Sequence, residues 1–393
     1  MLEKVSFSTT PDFELGFEHC SRQTDYFIAH PKTAKESPAK GLVVYIPGFG
    51  EDAGDYRHVF CKKVAERYDL SVMTVDYHCF YSRPKAEGAT VYEAEDIALI
   101  EKLFLKNDLP FSGASVEEGV KNLNAHLADI GRTAEITATL IPGKNEYQNG
   151  GVMQALDIIN AVGHALEKYN LPADNVILIG SSYGGYIANL ATKFAPKTFR
   201  AVFDNSSWAY PHFGYVVGRE HGFAEFLDAT HSHLRTKFYV RSAWTLKKDL
   251  PNTFDGKRFH VRAFSEEQIA LLATYQPETY YYFIHAENDT IALTEAKIQM
   301  ATQMIQQQLN VHMQVNQASD VDGTYIKTMK HGMNLSMLTF FDKAYAHIEG
   351  HQKSIDNDFT KQSLVSYVSS ECLYEFDFSS YPVKARVLLK GAK

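Results

Sequence analysis

One stretch constrains the fold more than any other: VILIGSSYGGYIANLATKF, residues 176–194. A short continuous apolar run of the kind found in buried strands meets a Gly-rich turn. The turn opens at once into a segment with helical spacing. Inside it, Gly180-Ser181-Ser182-Tyr183-Gly184 satisfies G-x-S-x-G. A sharp strand-to-helix turn puts the central serine in strained backbone geometry with its hydroxyl exposed. The flanking glycines leave room for a close approach of strand and helix. The helix N-terminus behind the turn aims N–H groups at developing negative charge.

The rest of the chain supplies matching pieces. Buried-strand runs are expected at residues 41–46 (GLVVYI), 70–75 (LSVMTV), 176–179, 201–204, 280–285 and 311–315, with an opening pair at 12–20 and 24–29. Helical spacing falls between them at 56–68, 153–169, 185–194 and 295–309. Alternation of this kind implies a mainly parallel sheet with helices on both faces. The expected organisation is a single domain with long insertions at about 93–150 and 207–275, too long for ordinary connections and of the size of lids or binding elements. A weakly periodic appendage packed on the sheet is expected from about residue 343.

Composition narrows the function. With 393 residues, 45% hydrophobic and 22% charged, the chain is ordinary globular protein. A net charge of −8 and no long Lys/Arg cluster give no support for a nucleic-acid or anionic-membrane partner. No apolar run approaches a bilayer span. The opening MLEKVSFSTTPDF lacks the basic-then-apolar pattern of a secretory signal, and the four cysteines show no CxxC spacing. The expectation is a cytoplasmic protein with reduced thiols; its oligomeric state is open. With 25 Phe, 23 Tyr and 2 Trp, it has rings enough to line an apolar or sugar-binding pocket as well as a core.

A serine at such a turn needs a base and an orienting acid, in chain order Ser, acid, His. After the strand at 280–285, Ala286-Glu287-Asn288-Asp289 offers the acid. Asp289 is better placed than Glu287 to point back once the turn is complete. Lys330-His331-Gly332, after the last strand, offers the base. The rival acid is Asp204, at the end of the strand that follows the serine. The oxyanion donors are expected to be the backbone N–H of Phe49, or Gly50, in Pro47-Gly48-Phe49-Gly50, and that of Tyr183. No metal or organic cofactor is required.

The chain also carries competing motifs. Gly48-Phe49-Gly50-Glu51-Asp52-Ala53 also fits the dinucleotide pattern G-x-G-x-x-G/A, with Asp76 closing the next strand. Glu51 and Asp52 would repel a pyrophosphate there, and the pattern leaves Ser182, Asp289 and His331 without a role. His347 and His351 lack the acid of HExxH, so a solvated helix face is the better reading. His231 and His233 read as loop residues. Asn205-Ser206-Ser207 fits a glycosylation acceptor without a secretory context.

Together IPGFGED, GSSYGG, HAENDTIAL and KHGMN resemble the α/β-hydrolase superfamily over roughly residues 12 to 345. Pro47 stands where many members have His, which leaves backbone donors intact. The motifs also resemble a hydrolase-like group of flagellin-glycan loci in some flagellated Gram-negative bacteria. That resemblance implies an esterase removing O-acetyl groups from a nonulosonic acid such as pseudaminic acid, a small-molecule sugar ester. Such a sugar carries a carboxylate, which Arg is well shaped to hold. Arg83 and, in the second insertion, Arg219 and Arg241 are the candidates, with Trp208, Tyr210, His212 and Tyr215 as stacking rings. The bland alternative is surface arginines and rings that hold the insertion together. The same apparatus would also suit an acyltransferase or serine peptidase, and a non-catalytic glycan-binding relative would keep the fold with a misplaced triad.

Overall fold

The computed structural model describes residues 2–35, 38–50, 54–82, 87–109, 113–228, 233–369 and 372–389. The chain divides into two compact units. One comprises Met1–His78, Gly150–Pro211 and Phe254–Lys393; the other comprises Cys79–Asn149 and His212–Thr253.

The first unit is built on an eight-stranded sheet. Its strands in chain order are β1 (Leu2–Thr9), β2 (Arg22–Ala29), β3 (Leu42–Ile46), β4 (Ser71–Val75), β5 (Val176–Ser181), β6 (Ala201–Asn205), β7 (Tyr280–Ala286) and β8 (Asn310–Asn316). Their order across the sheet is β1-β2-β4-β3-β5-β6-β7-β8. β2 runs antiparallel to both neighbours, and every pairing from β4 to β8 is parallel. This order, with the serine turn leaving the central β5, is that of the α/β-hydrolase fold.

Parallel strands covered on both faces read as unbroken apolar runs, and β3, β4 and β6 are buried at every position. Alternate residues divide between two helical layers. Val43, Tyr45, Val72, Ile177, Ile179 and Phe203 share one core with Phe60 and Val64 of α1 (Tyr56–Tyr68). The opposite face is covered by α2 (Val152–Tyr169) and α3 (Tyr183–Phe194). α4 (Thr294–Gln306) links β7 to β8, and α5 (Met337–His347) adds Phe340 and Phe341 to the α1 layer.

One expectation is corrected here and one is extended. The first strand is Leu2–Thr9, not residues 12–20, which form turns held by the Asp12 carboxylate accepting from the Glu14 and Leu15 N–H groups. The C-terminal appendage packs on the sheet where it begins, through Ala344 and Ile348. It contains an antiparallel three-stranded sheet of its own (Leu364–Val368, Cys372–Asp377, Lys384–Leu389). This packs against α3, with Phe376 stacked on Phe194 at 4.4 Å and the Tyr367 hydroxyl donating to the Lys193 carbonyl.

The excursions expected at about 93–150 and 207–275 correspond to 79–149 and 212–253, which form the second unit. Its sheet runs Ala89–Val91, Ala134–Ile141, Leu234–Val240, Phe226–Asp228. Ile100, Phe104, Val120, Leu123 and Leu127 of two helices bury against Ile136 and Leu234. Among the described residues no helix is long and apolar enough to cross a membrane.

Candidate active site

Ser182 sits between β5 and α3 with φ 55° and ψ −122°, a conformation that L-residues rarely hold. Two features stabilise it. The Ser182 N–H donates to the Asn205 carbonyl at 2.8 Å, tying the turn to the end of β6. Glycine at 184 also lets α3 approach the end of β3, since a Cβ there would run into the Ile46 carbonyl and lie 2.6 Å from that of Pro47. The same approach brings the two expected oxyanion residues together: the Phe49 and Tyr183 rings meet edge to face at 5.5 Å.

His331 lies in a short helical turn after β8. Gly332 (φ 70°) and Met333 (φ 56°) reverse the chain behind it. Its Nε2 is 2.7 Å from Ser182 Oγ, and its Nδ1 is 2.7 Å from Asp289 Oδ2. Asp289 is buried in the turn after β7, where its other oxygen accepts the Ile291 and Ala292 N–H groups at 2.9 and 3.0 Å. Burial pushes this carboxyl up, but the hydrogen bond and charge of His331 and the two backbone donors outweigh it. The net result is a pKa below the ordinary carboxylate range. The Trp208 ring stacks on His331, with centroids 6.3 Å apart, and its Nε1–H donates to the Ile291 carbonyl at 2.8 Å. The line Ser182–His331–Asp289 is therefore held at each member, and it can pass a proton from hydroxyl to imidazole while the carboxylate fixes the tautomer.

The rival Asp204 is occupied elsewhere. Fully buried, it pairs with Lys297 at 2.6 Å and accepts from the Asn189 amide and the Ser207 hydroxyl and N–H. Burial pushes the Lys297 ammonium down, and Asp204 opposes that shift. Asp76 is likewise paired with the buried Arg57, which leaves the dinucleotide reading without its ribose ligand. Glu51, Asp52 and Ala53 of that motif lie outside the described residues.

A cavity of about 600 Å³ opens at Ser182. Phe49, Tyr45 and Tyr56 supply apolar surface, and Asn205, Lys327 and Asn334 supply polar groups. Asn205 carries no motif for this role; the sequence offered it only as a glycosylation acceptor. Its buried carboxamide donates to Ser181 Oγ and to the Gly332 carbonyl, both at 3.1 Å, so it joins the serine turn to the histidine turn. Lys327, four residues before the histidine, had no signal either.

The expected substrate-binding residues fare differently. Arg83 and His231 lie outside the described residues. Trp208 is buried behind His331 and does not line the cavity. Arg219 belongs to the second unit, where it pairs with Asp96 at 2.8 Å, donates to Thr137 and Thr139, and covers the Tyr239 ring. Arg241 pairs there with Glu93 at 2.8 Å. His212 and Tyr215 pack with Phe223 in that unit, and Tyr210 stacks on Phe259 in the first. Arg219 and Arg241 line a separate cavity of about 550 Å³ in the second unit. His347 and His351 bond separately to the Tyr280 hydroxyl and the Glu278 carbonyl, and His233 meets the Arg132 carbonyl. Among the described residues no group of three or more His, Cys, Asp or Glu is placed to hold a metal ion.

Solved structures with a similar backbone include an acylaminoacyl peptidase of Pyrococcus horikoshii, at 11% identity and TM-score 0.46. That match covers 90% of this chain and 42% of the peptidase, so the chain spans less than half of the peptidase's length. A thermostable esterase matches at 13% identity and TM-score 0.43, over 89% of this chain and 63% of its own. Esterases of the fungus Rhizomucor miehei match at 12% and 0.42, over 89% and 84%. No curated protein matches. The model of one family, described as a protein of unknown function (DUF2920), matches residues 4–387, and the chain belongs to that family.

Proposed function

We propose that this chain is a serine hydrolase of carboxylic esters. The single observation that carries the reading is the continuous line from Ser182 Oγ through the His331 imidazole to Asp289, with 2.7 Å at each link. Ser182 Oγ attacks the acyl carbonyl as His331 Nε2 takes its proton, and the Phe49 and Tyr183 N–H groups bind the oxyanion. Collapse expels the alcohol, to which His331 returns the proton. A water deprotonated by His331 then cleaves the acyl-enzyme, and Ser182 recovers its proton as the acid leaves. Two oriented N–H donors contribute several kcal/mol of transition-state stabilisation, and Asp289 offsets the positive charge that forms on His331.

For substrate we propose the O-acetyl ester of an acidic nonulosonic sugar such as pseudaminic acid, as the motif resemblance implies. A cavity of about 600 Å³ bordered by two tyrosines and a phenylalanine suits a sugar-sized ligand. The test has two parts. A fluorophosphonate probe should label the protein at Ser182 and fail to label Ser182→Ala; equal labelling of both sinks the serine-hydrolase reading. Mass spectrometry of an O-acetylated sugar panel should then show acetyl loss from the nonulosonates. Loss only from neutral sugars would overturn the substrate assignment.

A further inference from the structure

The cavity at Ser182 has a charge asymmetry. Among its described lining residues are Lys327 and His331, and no carboxylate. The chain as a whole leans the other way, with 47 acidic against 39 basic residues. Its net field opposes the approach of an anion, so a cation in the cavity is the local feature that reverses that bias.

Lys327 is held at its root and free at its tip. It follows Ile326, which is buried in the core beneath α5. Its N–H and that of Thr328 both donate to the Met333 carbonyl at 3.2 Å, which pins this segment to the turn just past His331. The side chain is exposed, and among the described residues its ammonium has no hydrogen-bond or ion-pair partner. The paired cations Lys297, Arg57, Arg219 and Arg241 show the contrast. A lysine tethered to the base-bearing loop, lining the same cavity and not already neutralised, is placed to meet a substrate anion.

We infer that Lys327 sets substrate specificity: its ammonium binds a carboxylate on the alcohol portion of the ester while Ser182 attacks the acyl carbonyl. The inference rests on the serine-hydrolase reading above and deepens it. It names the residue that selects the carboxylate-bearing ester proposed above.

The test compares two acetyl esters that differ in one charge, 4-acetoxybenzoate and its methyl ester. The selectivity, kcat/KM for the acid over that for the methyl ester, is measured for the unmodified protein, Lys327→Met and Lys327→Arg. In Lys327→Met the ratio should fall about tenfold, carried by KM for the acid, which corresponds to about 1.4 kcal/mol. Lys327→Arg should recover most of it, because the charge is kept. The ratio in the unmodified protein should also narrow with added salt. An unchanged ratio in Lys327→Met, or a parallel loss on both esters, overturns the assignment. Preference for 4-acetoxyphenyl phosphate over the benzoate overturns the carboxylate class. If neither ester is turned over above the Ser182→Ala background, the serine-hydrolase reading itself fails, and the inference falls with it.

Discussion

Replacing Asp289 with Asn removes one charge and almost no volume, and the surroundings dictate which way the amide must face. The inner oxygen of Asp289 accepts two backbone N–H groups, from Ile291 and Ala292. Turning the new NH2 toward them would set donors against donors, leaving buried groups unpaired at about 1–3 kcal/mol each. The amide oxygen therefore keeps that position and the NH2 faces His331 Nδ1. Nδ1 must then accept, Nε2 carries the proton, and His331 cannot take one from Ser182. The same exchange in a serine-protease triad lowers kcat about 10⁴-fold, or about 5.4 kcal/mol at 1.36 kcal/mol per decade. A loss of this order is expected in ester hydrolysis and in the rate of fluorophosphonate labelling. Stability carries a separate sign. The folded pKa of Asp289 lies below its unfolded value, so its contribution is complete above the unfolded carboxylate pKa, about 3.9. It is lost as pH falls through the lower folded value. The deficit of Asp289→Asn should thus be present at neutral pH and shrink toward strong acid, as read by urea midpoints across pH. A folded Asp289→Asn protein within tenfold of full activity would refute the tautomer argument and reopen the role of the acid.

Two further outcomes follow from the site. Gly184→Ala should yield little folded protein, because the added methyl meets backbone oxygens of Ile46 and Pro47 rather than a side chain that can turn away; normal yield and thermal midpoint would show that α3 can retreat from β3 without cost. Asn205→Ala removes the carboxamide donor to the Gly332 carbonyl, which keeps the Leu335 N–H, and about 0.5–1.5 kcal/mol of stability should be lost, together with a fall in kcat at near-constant KM. An unchanged kcat would mean that the histidine turn does not depend on Asn205.

The parts legible in the sequence are those in which one local pattern settles both geometry and chemistry. The serine turn is the best case: strand, glycines and helix are contiguous, so no long-range contact had to be guessed. Strands β3 to β7 announced themselves through burial on both faces, whereas β8 is mostly half-buried and was legible from its place after a helical segment. β1 was missed because its inward positions are Val5, Phe7 and Thr9. The last is polar and satisfied by a hydrogen bond to Asp157, a residue of α2, so the apolar alternation is broken where it was needed. The appendage hid for a related reason. Its buried tyrosines, Tyr367 and Tyr374, reach the Lys193 carbonyl and the Glu14 carboxylate, partners that no local window contains. Arg219 and Arg241 show the limit for charges. Nothing local says whether they pair or stay solvated, and only the fold brings Asp96 and Glu93 within reach.

The strand-end carboxylates show how only one of three buried acids comes to face the imidazole. Asp76, Asp204 and Asp289 all lie toward the carboxyl edge of the sheet, the first just after β4, the second within the end of β6 and the third after β7, and all are buried. A buried carboxylate must be paired or hydrogen-bonded to remain charged. Asp76 meets Arg57 and Asp204 meets Lys297, partners with full charges of their own. Among the described residues Asp289 has no Arg or Lys partner; it has two backbone N–H groups and two imidazoles, His331 at 2.7 Å and His285 at 3.5 Å. A carboxylate already neutralised by a lysine would give little to a forming imidazolium. One held by neutral dipoles keeps its charge directed at the ring, and its interaction strengthens as the ring becomes positive. On the proposed function, the distribution of two cations over three acids leaves Asp289 to orient the imidazole, while Asp204 is already committed to Lys297. Moving a lysine beside Asp289 should lower turnover even with all three members of the line in place.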